Sequence, residues 1–374
     1  MALPHFTAET PLFMPVGTQG SVKGMTSGQL QELGCAVILG NTYHLEAKPG
    51  SGRVARLGGL PAFVDWPRGM LTDSGGFQMV SLLALADITE RRVTFQSPAD
   101  GRMMLLTPEE SIGVQNRLGA DIIMQLDDVV PTTHKSAARF EEATYRTTRW
   151  LDRCRAAHSR PAEQNLFPIV QGGCDPRLRA ISLHQLMGRE APGYAIGGLV
   201  GGESKHDFWR TVAQCTAALP AGKPRYVMGV GYPLDVVVCS ALGADMYDSV
   251  FPTRTARFGV ALVPHDGGAL RLKAARYGRD FRPLDEACPC RACATYSRAY
   301  LHGVIGRNVP SAAMAVTYHN VAYMQARAAA SRARPLPLPA ASPRRASPAH
   351  QGVGWELTRA SPPRGAHPGA RNRT

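Results

Sequence analysis

Two carboxylates stand at the ends of apolar runs: Asp73 in Thr72-Asp73-Ser74-Gly75-Gly76-Phe77-Gln78, and Asp248 in Met246-Tyr247-Asp248-Ser249-Val250-Phe251. A strand that ends this way delivers an acid into a site, and two such acids can divide the work of breaking a glycosidic bond. One attacks or shields the developing oxocarbenium carbon while the other handles the leaving group's proton. Arg254 and Arg257 follow Asp248 closely, which suits a substrate with phosphates beside the scissile bond, such as a nucleic-acid sugar. Taken singly, Asp73 also reads as a turn residue capping the next helix, and Asp248 as an ion-pair partner of either arginine.

Asp127 and Asp128 close another apolar run, so at least one is expected to face the same pocket. A carboxylate with an amide such as Gln171 can read the donor and acceptor edge of a purine-like base, although a solvated acidic pair is the plainer alternative. The runs Gly197-Gly198-Leu199-Val200-Gly201-Gly202-Glu203 and Met228-Gly229-Val230-Gly231 would let backbone approach a ligand, or serve only as turns. Cys288, Cys290 and Cys293, followed 26 positions later by His319, supply three thiolates and an imidazole. That is a full tetrahedral set for one structural Zn2+, with no position left for a catalytic water; a chance cluster of reduced thiols is the plainer alternative, and His302 is a second histidine within reach.

These residues need elements to position them. Short β-type apolar runs at 12–16, 35–39, 69–72, 121–126, 166–170, 194–196, 226–230 and 246–251 alternate with helical stretches. Thr107-Pro108-Glu109-Glu110 predicts a capping box with proline in the first turn, closed by Gly119, and Thr26 with Gln29 predicts a second helix start, closed by Gly34. Eight strand–helix units over ~250 residues predict an α/β fold, a (β/α)8 TIM barrel with its chemistry at the carboxyl ends of the strands. An open doubly wound sheet is the competing architecture, but Gly17-Thr18-Gln19-Gly20 is a poor phosphate turn for it. A β-hairpin is expected as an insertion at 91–106. The barrel is assigned to 1–280, a small zinc-binding subdomain with the last barrel helix to 281–324, and a disordered tail to 325–374.

The formal net charge is +13, and nine arginines against one glutamate lie in residues 325–374, so the remainder is only mildly basic. Such a chain binds a polyanion through a local patch rather than by coating it. Arg271, Lys273, Arg276 and Arg279 extend a basic stripe toward the cysteines, with Tyr277 and Phe281 available for stacking; a solvated face explains these four equally well. The eight cysteines do not form a spaced disulfide framework. Neither a leader nor a membrane-spanning run is recognisable, so a soluble cytoplasmic protein is expected.

Residues 11–324 resemble the tRNA-guanine transglycosylase family, in particular the catalytic subunit of its eukaryotic members. The resemblance is carried by Phe13-Met14-Pro15-Val16-Gly17-Thr18-Gln19, Gly40-Asn41-Thr42-Tyr43-His44-Leu45, both aspartate runs, Met124–Asp128, Val170-Gln171-Gly172-Gly173, both glycine runs and the cysteine–histidine set. It implies exchange of the wobble guanine of certain tRNA anticodons for queuine by double displacement. Asp248 is then the nucleophile toward ribose C1′ and Asp73 the general acid and base. Asp127, Gln171, Gly197, Gly198, Gly201 and Met228 would hold the base, with Ser74, Gly75, Gly76, Phe77 and Gln78 shaping the pocket. Arg254 and Arg257, with Gly229, Val230, Gly231, Tyr232, Pro233, Leu234, Asp235, Thr253, Thr255 and Ala256, would engage the anticodon loop.

Gly201 stands where bacterial relatives carry a bulkier valine, which implies room for the cyclopentenediol of queuine. Ser249 stands where the family usually has cysteine. The resemblance also implies a heterodimer with a homologous non-catalytic subunit and a place in the cytoplasm or at the mitochondrial outer membrane. The rival reading is a non-catalytic RNA-binding scaffold of the same fold, which would have no physical need for both Asp73 and Asp248.

Overall fold

The computed structural model describes residues 1–76, 87–96, 101–307 and 309–332. Residues Met1–Leu336 form one compact unit. The expected tail lies, beyond 332, outside the described residues, as do Phe77, Gln78 and the tip of the insertion.

Parallel strands β1 (Leu12–Gly17), β2 (Val37–Gly40) and β3 (Gly69–Thr72) come first. β4 to β6 belong to the insertion, and β7 (Ile122–Met124), β8 (Asn165–Phe167), β9 (Ile169–Val170), β10 (Tyr194–Ile196), β11 (Arg225–Val227) and β12 (Met246–Ser249) complete the main sheet. The order β8-β7-β3-β2-β1-β12-β11-β10-β9 puts β8 and β9 at opposite ends of the sheet. They are two halves of the strand expected at 166–170, divided at Pro168, which has no N–H to give a ladder. The sheet therefore closes on itself with eight staves, as the barrel reading expects, and the open doubly wound alternative falls away. At the break, the Gln125 side chain takes the place of a ladder partner by accepting from the Ile169 amide at 2.9 Å.

Inward residues fill the barrel with layers of side chains: Leu12, Met14, Leu39, Leu71, Ile122, Met124, Ile169, Ala195, Tyr226 and Met246 form one buried cluster. Met1, Leu3 and Phe6 pack against it from the amino-terminal end. Both expected capping boxes form, at Thr26 with Gln29 and at Thr107 with Glu110.

Two local expectations are extended. The strands expected at 91–106 pair antiparallel as β5 (Val93–Gln96) and β6 (Met103–Leu106), and β4 (Asp87–Ile88) adds a third strand beside β5. The two-residue β4 is too short to leave a pattern in sequence. The final helix, Pro310–Arg332, runs past the boundary set at 325. Gln325 donates to the Phe13 carbonyl and Arg332 reaches Glu9, so contacts with the start of the chain sustain a prolongation that the alanine-rich stretch before Pro335 also allows. No described helix is long and apolar enough to cross a membrane.

Candidate active site and metal centre

The carboxyl ends of the strands open into one cavity of about 720 Å³, bordered among others by Thr18, Asn41, Asp73, Ser74, Asp127, Gly197, Gly198, Met228, Gly229 and Asp248. Every stave except the divided one, β8 with β9, contributes a border residue directly, and Gln171 at the end of β9 reaches the border through its bond to Asp127. Residues expected from widely separated motifs thus meet at one place.

Asp73 follows β3 directly. Its Oδ1 accepts the Thr42 amide at 2.9 Å and the Gly75 amide at 3.1 Å, and its Oδ2 accepts the Asn41 side-chain amide at 2.5 Å. Asn41 is also the N-cap of the helix Thr42–Ala47, accepting from the His44 amide. Burial pushes the Asp73 carboxyl up to about 7; the charge of Asp248 adds to the rise, and the three donated hydrogen bonds oppose it. Asp73 is therefore poised to give and take a proton near neutrality.

Asp248 lies in β12, in register with Met14 of β1. Its Oδ1 accepts from the Tyr226 hydroxyl at 2.5 Å and from the Gly229 amide at 2.7 Å. No donor among the described residues reaches Oδ2. Burial raises this carboxyl too, against the pull of Tyr226 and Gly229, which favour the anion. One oxygen is anchored and the other left bare, an arrangement suited to attack. Ser249, next in the strand, accepts through its hydroxyl, at 3.0 Å, the amide of Phe251, the first residue of the helix Phe251–Arg257. Oxygen accepts this bond better than a thiol would.

Asp127 and Asp128 part company. Asp127 turns to the cavity, accepting the Gln171 amide at 2.7 Å on one oxygen and lying 3.4 Å from the Ser74 hydroxyl on the other. Burial pushes it up to about 6. Asp128 is locked by Arg139 and Arg146. Neither is solvated, so the plainer reading of the pair fails for both. A Cβ on Gly198, where φ is +65°, would lie 2.1 Å from the Gln171 Oε1; glycine is what lets this amide lie against the backbone. A Cβ on Gly201 would come within 2.9 Å of the Thr132 hydroxyl, so any larger residue there would press on the segment that follows Asp127. Glu203 fixes this contact, accepting from the amides of Val200 and Gly201 and from Thr132.

Of the residues expected at an RNA surface, Arg254 borders the cavity, while Arg257, Leu234 and Tyr232 are exposed. Tyr232 packs on Phe251 with ring centroids 4.6 Å apart, and Lys205 lies 4.9 Å over it. Val230, Asp235, Thr253 and Ala256 are buried and offer no side-chain surface; Asp235 is paired with Lys205. They keep the loops in place behind the exposed residues.

Several contributors escaped the sequence reading. Ser111 donates to the Ser74 carbonyl, and the buried Gln115 both donates to and accepts from the backbone of Met124 while accepting from Thr72. Their helix, Pro108–Leu118, thereby sets the height of the β3 and β7 ends. A lone glutamine or serine in an amphipathic helix carries no signal of such a role. Asn41 and Tyr226 had a signal, since each lies one or two residues from a strand's carboxyl end.

The donor atoms of Cys288, Cys290, Cys293 and His319 all lie within 4.8 Å of one another. His319 Nδ1 is 3.7, 3.6 and 3.3 Å from the three sulfurs in that order, and Nε2 is 2.8 Å from the Leu262 carbonyl. That carbonyl fixes the tautomer, with the proton on Nε2 and the Nδ1 lone pair turned to the sulfurs. The cluster can hold one tetrahedral metal ion. It closes Asp285–Cys293 onto the final helix, away from the acids in the cavity, so the metal has a structural place.

The family model described as queuine tRNA-ribosyltransferase matches residues 1–334. The queuine tRNA-ribosyltransferase catalytic subunit of Schizosaccharomyces pombe is 54% identical over 326 residues, 85% of this chain and 80% of that protein. The protein of the same name from Caenorhabditis elegans is 51% identical, covering 85% and 79%. The queuine tRNA-ribosyltransferase of Thermus thermophilus is 48% identical over 330 residues, covering 88% and 84%.

Proposed function

The chain belongs to the queuine tRNA-ribosyltransferase family, and from that premise we propose that it replaces guanine with queuine in tRNA anticodons by a double displacement between Asp248 and Asp73. The observation that carries this reading is the pair of unlike carboxylates in one cavity, one with a bare oxygen and one poised near neutrality. A scaffold gains nothing from two buried, elevated acids, which lower stability rather than add to it.

In the first displacement the free oxygen of Asp248 bonds to ribose C1′ as the bond from C1′ to guanine breaks, and the electron pair leaves on the base. Asp73 gives its proton to that base. Asp127, Gln171 and the Gly197–Gly198 backbone hold the base edge. In the second displacement the incoming base loses a proton to Asp73, attacks C1′, and frees the Asp248 carboxylate. Atoms and charge balance without a cofactor in the step. Gly201, which lacks a side chain and borders the cavity, lies on the wall that faces the larger substituent of queuine in this reading. Arg254 and Arg257 hold the anticodon backbone, and Phe77 and Gln78, outside the described residues, complete the pocket in this reading.

The metal of the cysteine–histidine cluster is Zn2+ in this proposal, since three thiolates and one imidazole are its preferred structural set. The "catalytic subunit" names of the yeast and nematode relatives fit a heterodimer with a non-catalytic homologue in the cytoplasm.

The test uses unmodified tRNA and labelled guanine. The unaltered protein should incorporate label and yield a denaturation-resistant protein–RNA adduct when trapped without an acceptor base. Asp248→Ala should do neither, with a loss of about 10³-fold or more. Equal incorporation by both proteins removes the assigned nucleophile.

A further inference from the structure

Arg179 lies in the helix Pro176–Met187, fully buried, and its charge meets no carboxylate among the described ion pairs. Burying an unpaired guanidinium is unfavourable, and burial indeed lowers its affinity for its proton. Beside the Cys215 thiol, the guanidinium spends its three nitrogens on backbone. Its Nε donates to the Gly173 carbonyl at 2.7 Å, one terminal nitrogen to the Val170 carbonyl at 2.8 Å, and the other to the Gly197 carbonyl at 2.7 Å. One planar group thus ties together the ends of β9 and β10.

The three carbonyls flank the residues that meet the base. Val170 precedes Gln171, whose amide N–H is held by Ser182 one turn along the same helix at 3.1 Å. Gly197 precedes Gly198. In a trans peptide the C=O and N–H point in opposite directions, so anchoring the Gly197 carbonyl outward turns the Gly198 N–H the other way. That N–H has no partner among the described residues, and Gly198 borders the cavity. A fixed positive charge behind the peptide also makes its N–H a stronger donor. The loop leaves no slack: a Cβ at Gly172 would strike the Arg179 backbone at 2.9 Å, and one at Gly173 the Phe140 ring at 2.7 Å.

We propose that Arg179 is a positioning residue for the exchanged base: by gripping Val170, Gly173 and Gly197 it sets the separation of Gln171 from the Gly198 amide and aims that amide at a base acceptor. This rests on the base-exchange reading of the same cavity. Lysine keeps the charge but has no planar fork to span three carbonyls at once, and methionine keeps only the bulk.

Steady-state incorporation of labelled guanine into unmodified tRNA is measured for the full chain, Arg179→Lys and Arg179→Met, varying guanine and tRNA in turn, with melting curves for each. Arg179→Met should raise the KM for guanine about tenfold or more while the KM for tRNA stays within about twofold, and Arg179→Lys should fall between. A folded Arg179→Met with the guanine KM of the unaltered protein overturns the proposal. So does a parallel rise in both KM values, the mark of a merely structural role. If Arg179→Met does not fold, Arg179→Lys decides: an unchanged guanine KM overturns the proposal, and a selective rise supports it. Failure of both variants to fold overturns it in favour of a folding role. No incorporation by the unaltered protein refutes base exchange itself, a result distinct from all of these.

Discussion

Asp73 and Asp248 share a cavity, yet the hydrogen bonds around them assign different work. Asp248 is restrained on one oxygen by Tyr226 and Gly229, whereas both oxygens of Asp73 are engaged by Asn41, Thr42 and Gly75. The sign of a pH effect follows. In the proposed exchange Asp73 carries the proton that releases guanine, so adduct formation should fall as pH rises through its elevated value of about 7. The Asn41 amide stabilises the carboxylate and opposes that elevation, so Asn41→Ala should move the alkaline limb of single-turnover adduct formation to higher pH. An unmoved limb would assign it to another group. On the acid side the rate should fall as Asp248, itself raised by burial, takes up a proton.

At the scale of elements, helices behind the barrel set the heights of the loops in front. The buried Asn320 of the final helix donates to the carbonyls of Pro252 and Val260 and accepts from the Leu262 amide, joining that helix to the segment after Asp248's strand. Asn320→Ala would leave these groups unpaired, and should lower stability by about 2–3 kcal/mol in urea denaturation. A change under 0.5 kcal/mol would mean that water replaces the lost bonds. Strand positions and helix caps were legible in the sequence because period and capping chemistry are local. The same holds for Asp73, Asp248 and the cysteine triplet, whose neighbours in sequence announce them. Arg179, Ser111, Gln115 and Asn320 were not legible, since each acts on backbone contributed by a distant segment. Pro168 was visible, but it became the seam of the barrel only once β8 and β9 were seen at opposite ends of the sheet order.

At the scale of the molecule, the metal cluster and the active site are separate structures joined by one helix. Pro310–Arg332 carries His319 to the cysteines and Asn320 to the loop beyond Asp248. Removing the metal with a strong chelator at neutral pH should lower Tm and weaken incorporation in parallel, with restoration on adding Zn2+; Cys290→Ser should behave like the stripped protein. Stable activity with less than a tenth of a metal ion per chain would deny the cluster that part. The pairing of β1 with β12, and the grip of Gln325 and Arg332 on Phe13 and Glu9, also dictate when the barrel can close during synthesis. The stave bearing Asp248 docks beside the first one made, and the helix that clasps them is the last described element. A nascent polypeptide therefore cannot seal its barrel until the eighth stave has left the ribosomal tunnel and returned to the first.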